Sequence, residues 1–156
     1  MESAALFARL RRVVALRFTT HAGQPATLRG RGEGRVLVSA GSPHELTFTE
    51  SGTWQNAVGK SFRFHNVYRW TRLGPVAVRL EHLRRGPGHA VPLLDFNFHD
   101  ASVRGWRSAA PHLCGPDSYV AKLQLDSSGV RLRWSIRGPR KHEDIASDYL
   151  FAALPS

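Results

Sequence analysis

The feature that most constrains this chain is an alternation of period two that runs through most of its length. In KSFRFHNVYRWTR, Phe62, Phe64, Tyr68 and Trp70 share one parity, and Arg63, His65, Arg69 and Thr71 share the other. Successive side chains of a strand point to opposite faces, so such a segment is a strand with one apolar face. The pattern recurs. HELTFTESGTW sets Leu46 and Phe48 against Thr47 and Thr49. VAVRLEH sets Val76, Val78, Leu80 and His82 against Ala77, Arg79 and Glu81. LLDFNFHD, SYVAKLQLD and VRLRWSIRG repeat it with Leu94, Phe96 and Phe98, with Tyr119, Ala121, Leu123 and Leu125, and with Val130, Leu132, Trp134 and Ile136.

Turn signals separate these runs: LGP at 73–75, RRGPGH at 84–89 and DSSG at 126–129. Short one-faced strands joined by tight turns form an antiparallel meander. A long meander avoids exposed edges by closing. The fold class is therefore mainly β, an up-and-down barrel of about eight or nine strands. Ahead of it, SAALFARLRRVVAL places Leu6, Leu10 and Val13/Val14 at helical spacing behind a capping Ser3. This predicts a short helix over about 3–14, plugging one end of a barrel over about 15–151, in a single domain of 1–156. The glycines of LRGRGEGRV do not lead from a strand into a helix, so they are bends in a curved strand rather than a phosphate loop.

At 156 residues the chain buries enough surface to fold without a disulfide or metal. Its single cysteine excludes a disulfide framework and a Cys-rich zinc site and suits a reducing compartment. The N-terminus lacks the basic and apolar regions of a signal peptide, and no apolar run is long enough to span a bilayer. These features predict a soluble, cytoplasmic protein. The net charge of +10 rests on arginine, since only Lys60, Lys122 and Lys141 are lysines. The arginines are dispersed, which reads as solvated faces rather than a nucleic-acid footprint.

A barrel of this size is filled by side chains or holds one small ligand. The inward parity is strongly aromatic: Phe48, Phe62, Phe64, Tyr68, Trp70, Phe96, Phe98, Tyr119 and Trp134. Asn66, His82 and Tyr119 are polar groups on that parity, and buried polar groups need partners or a ligand. In HLCGPDSYVAKLQL, His112 and Cys114 stand two apart, with Asp117 and Tyr119 close behind. Nucleophilic cysteine requires a base or a positive field. Gly115-Pro116 breaks this segment, and adjacency in sequence is weak support for a Cys/His pair. The stretch reads as a loop leading into a strand, with Asp117 closing an Asx-type turn. His65, His99, His112 and His142 have no metal-ligand spacing, so no metal is expected. In IRGPRKHEDIASDY, Arg137, Arg140 and Lys141 gather at a corner that reads either as a solvated corner with local ion pairs or as a barrel mouth gripping a carboxylate or phosphate.

FRFHNVYRW, HLCGPDSYVAKLQL, WSIRGPRKHEDIASDY and TFTESGTW together resemble the DUF6314 family, over roughly residues 15–151. The family pattern has H-x-C then D-x-Y, matched at His112, Cys114, Asp117 and Tyr119. It also has G-P-x-K, matched at Gly138, Pro139 and Lys141. The chain departs from it at His142, where an acidic residue is expected, and at Phe151, where an arginine is expected. The resemblance implies a calycin-like (lipocalin-like) barrel of uncharacterised function, in a class whose members bind small apolar molecules. Fold analogy does not select the ligand.

The first functional reading is a small-molecule-binding protein whose apolar or aromatic ligand, with or without an anionic group, sits inside the barrel. Its expected contacts are Phe64, Asn66, Tyr68, Trp70, His82, His112, Phe96, Tyr119 and Trp134, with Arg140 and Lys141 at the mouth. The second is an enzyme in the same barrel, with His112 and Tyr119 as acid/base and Cys114 and Asp117 as further candidates. The third, less favoured, is a nucleic-acid or partner-binding module using outer arginines such as Arg131 and Arg133. No cofactor or oligomeric state is indicated.

Overall fold

The computed structural model describes residues 2–22, 29–102 and 104–153. Among the described residues one α-helix, α1 (Glu2–Leu10), precedes eleven strands. These are β1 (Val13–Ala22), β2 (Gly30–Ser42), β3 (Glu45–Asn56), β4 (Ser61–Gly74), β5 (Ala77–His82), β6 (Val91–Asp100), β7 (Gly105–Ser108), β8 (His112–Cys114), β9 (Asp117–Leu125), β10 (Gly129–Gly138) and β11 (Lys141–Phe151). Every pairing is antiparallel. Apart from β7, which pairs with β9 and not with β8, neighbours in sequence are neighbours in the sheet; β9 pairs with β10 and β11 returns to β1, so the sheet closes. Ten of the strands form the ring, and β8 is an extra short strand on β9. The expected eight or nine strands fall short of this because β7 and β8 are too short to show an alternation.

The wall is irregular at β8. β7 takes Gln124–Lys122 of β9, and β8 takes Tyr119–Asp117 of the same strand. β6 pairs with β7 only from Phe96 onward, and one further bond runs from Ala109 N–H to the Asp95 carbonyl (2.7 Å). Among the described residues no ladder joins β8 to β6, so the barrel gapes there, beside Val91 and Leu93.

Antiparallel connectivity sends alternate loops to opposite ends. The β2–β3, β4–β5, β6–β7 and β9–β10 turns lie at the end that α1 covers. The helix buries one face, Ser3, Leu6, Phe7 and Leu10, in the barrel core. Ser3 N–H donates to the Pro75 carbonyl, and its hydroxyl accepts from Arg72 Nε (3.0 Å). Ser3 thus ties the helix to the barrel from within it and is not its cap. The helix stops at Leu10 rather than near 14, because Val13 already pairs with Phe151 in the β1–β11 ladder. The Arg12 guanidinium, 4.4 Å from the Phe151 ring centre, covers the junction.

The inward parity holds through the middle of the barrel: Phe48, Trp70 and Phe96 are fully buried, and Trp70 meets both others at 6.1 Å. It fails at the ends. Phe62, expected inside, is 43% exposed and stacks on Trp54, because it lies at the rim where no opposite wall covers it. Val76, on the same parity as Val78, sits exposed in the β4–β5 turn. The predicted bends in β2 are real: Gly34 faces Gly52 in register, and a side chain on Gly52 would run into the Glu33 carbonyl.

Candidate functional site

Above the helix-end core the barrel is not filled. A cavity of about 700 Å³ opens toward the other end. Its walls are apolar: Leu16 and Phe18 of β1, Leu80 of β5, Leu93 of β6, Leu132, Trp134 and Ile136 of β10, and Ile145 of β11. The alternation that makes strands supplies this lining, since inward positions above the Phe48–Trp70 layer border open space as well as one another.

Four polar side chains meet at the floor. Glu50 follows Leu46 and Phe48 on the inward face of β3 and is 2% exposed. The Tyr149 hydroxyl of β11 donates to Glu50 Oε2, and the Asn66 amide of β4 also bonds the carboxyl. Burial outweighs these two bonds and raises the Glu50 pKa to about 7. Burial likewise raises Tyr149 and Tyr68, with the nearby Glu50 acting in the same direction on both, so each keeps its hydroxyl proton at physiological pH. The Tyr149 ring rests edge-on against Phe48 (5.3 Å), which seats the polar layer on the apolar core.

Halfway up, His82 packs edge-on against Tyr68 (5.3 Å). Its Nδ1 accepts the Arg84 backbone N–H (2.8 Å), so the neutral ring carries its proton on Nε2. Burial, then the Arg84 charge, lowers its pKa and favours that neutral form. The lip is built from the β5–β6 loop, β8 and the start of β9: Arg84, Arg85, His112, Cys114 and Tyr119. His112 and Tyr119 face each other across the β8–β9 ladder, rings edge-on at 5.8 Å. Lys141 Nζ lies 3.4 Å from the Tyr119 hydroxyl, and that bond raises the lysine pKa.

Of the residues expected from sequence, Asn66, Tyr68, His82, His112, Cys114, Tyr119 and Trp134 line the cavity together. Trp70 and Phe96 lie beneath it in the solid core, and Phe64 packs against Phe18 (5.4 Å) instead of lining it. Asp117 packs against Gly138, where any side chain would collide with it, and does not line the cavity. Arg140 is exposed on the β10–β11 turn, and Lys141 reaches the lip only through Tyr119. Cys114 is exposed. Among the described residues no three His, Cys, Asp or Glu side chains converge as a metal-holding group.

Sequence reasoning missed Glu50, Tyr149, Arg84 and Arg85. Glu50 was readable, because the parity of Leu46 and Phe48 carries on to it through TFTESG. Tyr149 passed for ordinary core, since nothing local shows that a carboxylate from β3 lies across the barrel from it.

No curated protein matches this sequence. Among solved structures, EF1p2_mFAP2b bound to DFHBI aligns with a TM-score of 0.46 at 10% identity, covering 97% of this chain and 99% of that one. A de novo designed fluorescence-activating beta barrel aligns at 0.43 and 12% identity, covering 91% and 96%. The redesigned beta barrel mFAP1 bound to DFHBI aligns at 0.43 and 10% identity, covering 90% and 97%. The model of a family of unknown function, DUF6314, matches residues 9–150, and the chain belongs to that family.

Proposed function

We propose that this DUF6314 protein binds a small, largely apolar molecule inside the barrel, with any anionic group of that molecule held at the lip. The observation that carries this reading is the cavity itself: about 700 Å³, apolar walls and a few polar groups converging on its floor. A barrel evolved only for stability would fill that space, because an empty interior forfeits packing energy. The lip supports the second half of the proposal. Six arginines, Arg17, Arg69, Arg79, Arg131, Arg133 and Arg137, stand in ion pairs with Asp or Glu. Among the described residues Arg84 and Arg85 have no acidic partner, and both border the cavity. The pairing of Arg131 with Asp126 and of Arg133 with Asp148 also weighs against a nucleic-acid role for the outer face.

The test is titration with 8-anilinonaphthalene-1-sulfonate, an aromatic body with one anionic group. One probe per chain is expected to bind, with blue-shifted emission. Arg84→Glu combined with Arg85→Glu is expected to weaken binding roughly tenfold at low salt and less at high salt, as screening removes the charge contribution. Both side chains are exposed, so the fold is retained. Absence of saturable one-to-one binding to the folded natural protein would refute the reading.

A further inference from the structure

Resting on the reading of the cavity as a ligand site, we propose that its inner end recognises the oxygen of a neutral carbonyl group, such as a ketone, ester or amide, held between the Tyr68 hydroxyl and the Glu50 carboxyl. The inner polar groups are unequal. The Tyr149 hydroxyl is committed to Glu50, and so is the Asn66 amide. The Tyr68 hydroxyl makes no hydrogen bond among the described residues, yet it is not sealed away as an unsatisfied group and lines the cavity. It is therefore a free donor aimed at whatever fills the space.

Glu50 faces the same space. Next to it are Asn66 and Tyr68 from β4 and Tyr149 from β11, and the same cavity is lined further on by Ser147 of β11, His82 and Arg84 at the β5 end, and Thr20 of β1. None of the ion pairs among the described residues involves Glu50. A buried carboxyl without a cation holds its proton to unusually high pH and then donates a hydrogen bond. Two O–H donors in an apolar cavity match one acceptor oxygen. They match an ammonium poorly, and an ammonium would also pass Arg84 and Arg85 at the lip.

The experiment compares three probes of one shape on the whole chain: 2-acetylnaphthalene, 2-ethylnaphthalene and 2-(aminomethyl)naphthalene. At about pH 6 the acetyl compound is expected to bind roughly tenfold more tightly than the ethyl compound, the value of one or two hydrogen bonds made in a dry site. The preference is expected to fall severalfold by about pH 8.5, as Glu50 ionises and turns its lone pairs on the carbonyl oxygen. Glu50→Gln keeps a neutral donor at that position and is expected to preserve the preference at both pH values. Tyr68→Phe is expected to reduce it at both.

Equal binding of the acetyl and ethyl compounds overturns the carbonyl proposal and leaves the cavity reading standing. Tighter binding of the amine than of the ketone also overturns it. A pH dependence that persists in Glu50→Gln assigns the effect to another group and overturns it as well. If no naphthalene binds, both readings fall. Should Tyr68→Phe prove unstable, the flat profile of Glu50→Gln still decides the matter.

Discussion

At about pH 8, Glu50→Gln is expected to make the barrel roughly 2–3 kcal/mol more stable than the natural sequence, while at about pH 4 the two should differ by less than about 0.5 kcal/mol. In the folded protein burial lifts the Glu50 pKa to about 7, whereas in the unfolded chain the group titrates near its ordinary value of 4.5. Below 4.5 both states hold the proton and the carboxyl imposes no ionic penalty. Between 4.5 and 7 the unfolded state releases its proton first, so it binds fewer protons and stability falls as pH rises. Above 7 the loss is complete. A gap of 2.5 units corresponds to about 3 kcal/mol at 1.36 kcal/mol per unit, which water entering the cavity reduces somewhat. Gln retains the shape and can bond Tyr149 through its carbonyl oxygen without ionising. Chemical denaturation of both proteins across this pH range checks the result. Parallel pH curves would show that Glu50 does not titrate in this window.

The second large effect lies one layer down. Trp70→Ala is expected to cost about 3–5 kcal/mol at any pH, because it empties the middle of the core. Trp70 is 1% exposed, meets Phe48 and Phe96, and supports the layer on which Tyr149 and Glu50 rest. Trp70→Phe should be far milder. Its smaller ring leaves a gap, but it also removes the indole Nε1–H, a buried donor that finds no partner among the described residues. The pair separates packing from polarity: if Ala and Phe cost the same, volume is not what the position supplies. Thermal or denaturant unfolding at one pH gives both numbers.

Much of the barrel was legible because a strand writes its two faces into every second residue. Phe48, Trp70, Phe96, Leu123 and Leu132 were readable as core from parity alone, and the structure buries them. Parity states which face a residue takes, not how far along the barrel axis it sits. Phe62 and Val76 share the inward parity yet lie at the rim and in a turn, where there is no interior to enter. The same blindness hid the division between solid core and cavity: Trp70 and Tyr68 differ by one step along the inward face of β4, and the first is packed while the second lines open space. The floor cluster required two strands far apart in sequence, β3 and β11, to meet across the barrel, and no local pattern encodes that. The lip arginines were visible as a basic pair in a turn, but their want of acidic partners shows only in three dimensions. HLCGPDSYVAKLQL was readable as a loop leading into a strand, but that His112 and Tyr119 pair across the β8–β9 ladder beside the cavity shows only in the structure.

The central claim is that the space inside the barrel is the ligand site, and Ser147→Trp tests it most directly. Ser147 lines the cavity from β11, between Phe18 and Leu132 in register, and an indole there projects into open volume rather than packed core. Titration of 8-anilinonaphthalene-1-sulfonate against the natural protein and Ser147→Trp, with matched unfolding curves, is the measurement. The account predicts at least roughly tenfold weaker binding in a variant that remains folded. Equal affinity in the two proteins would place the probe outside the barrel and contradict it.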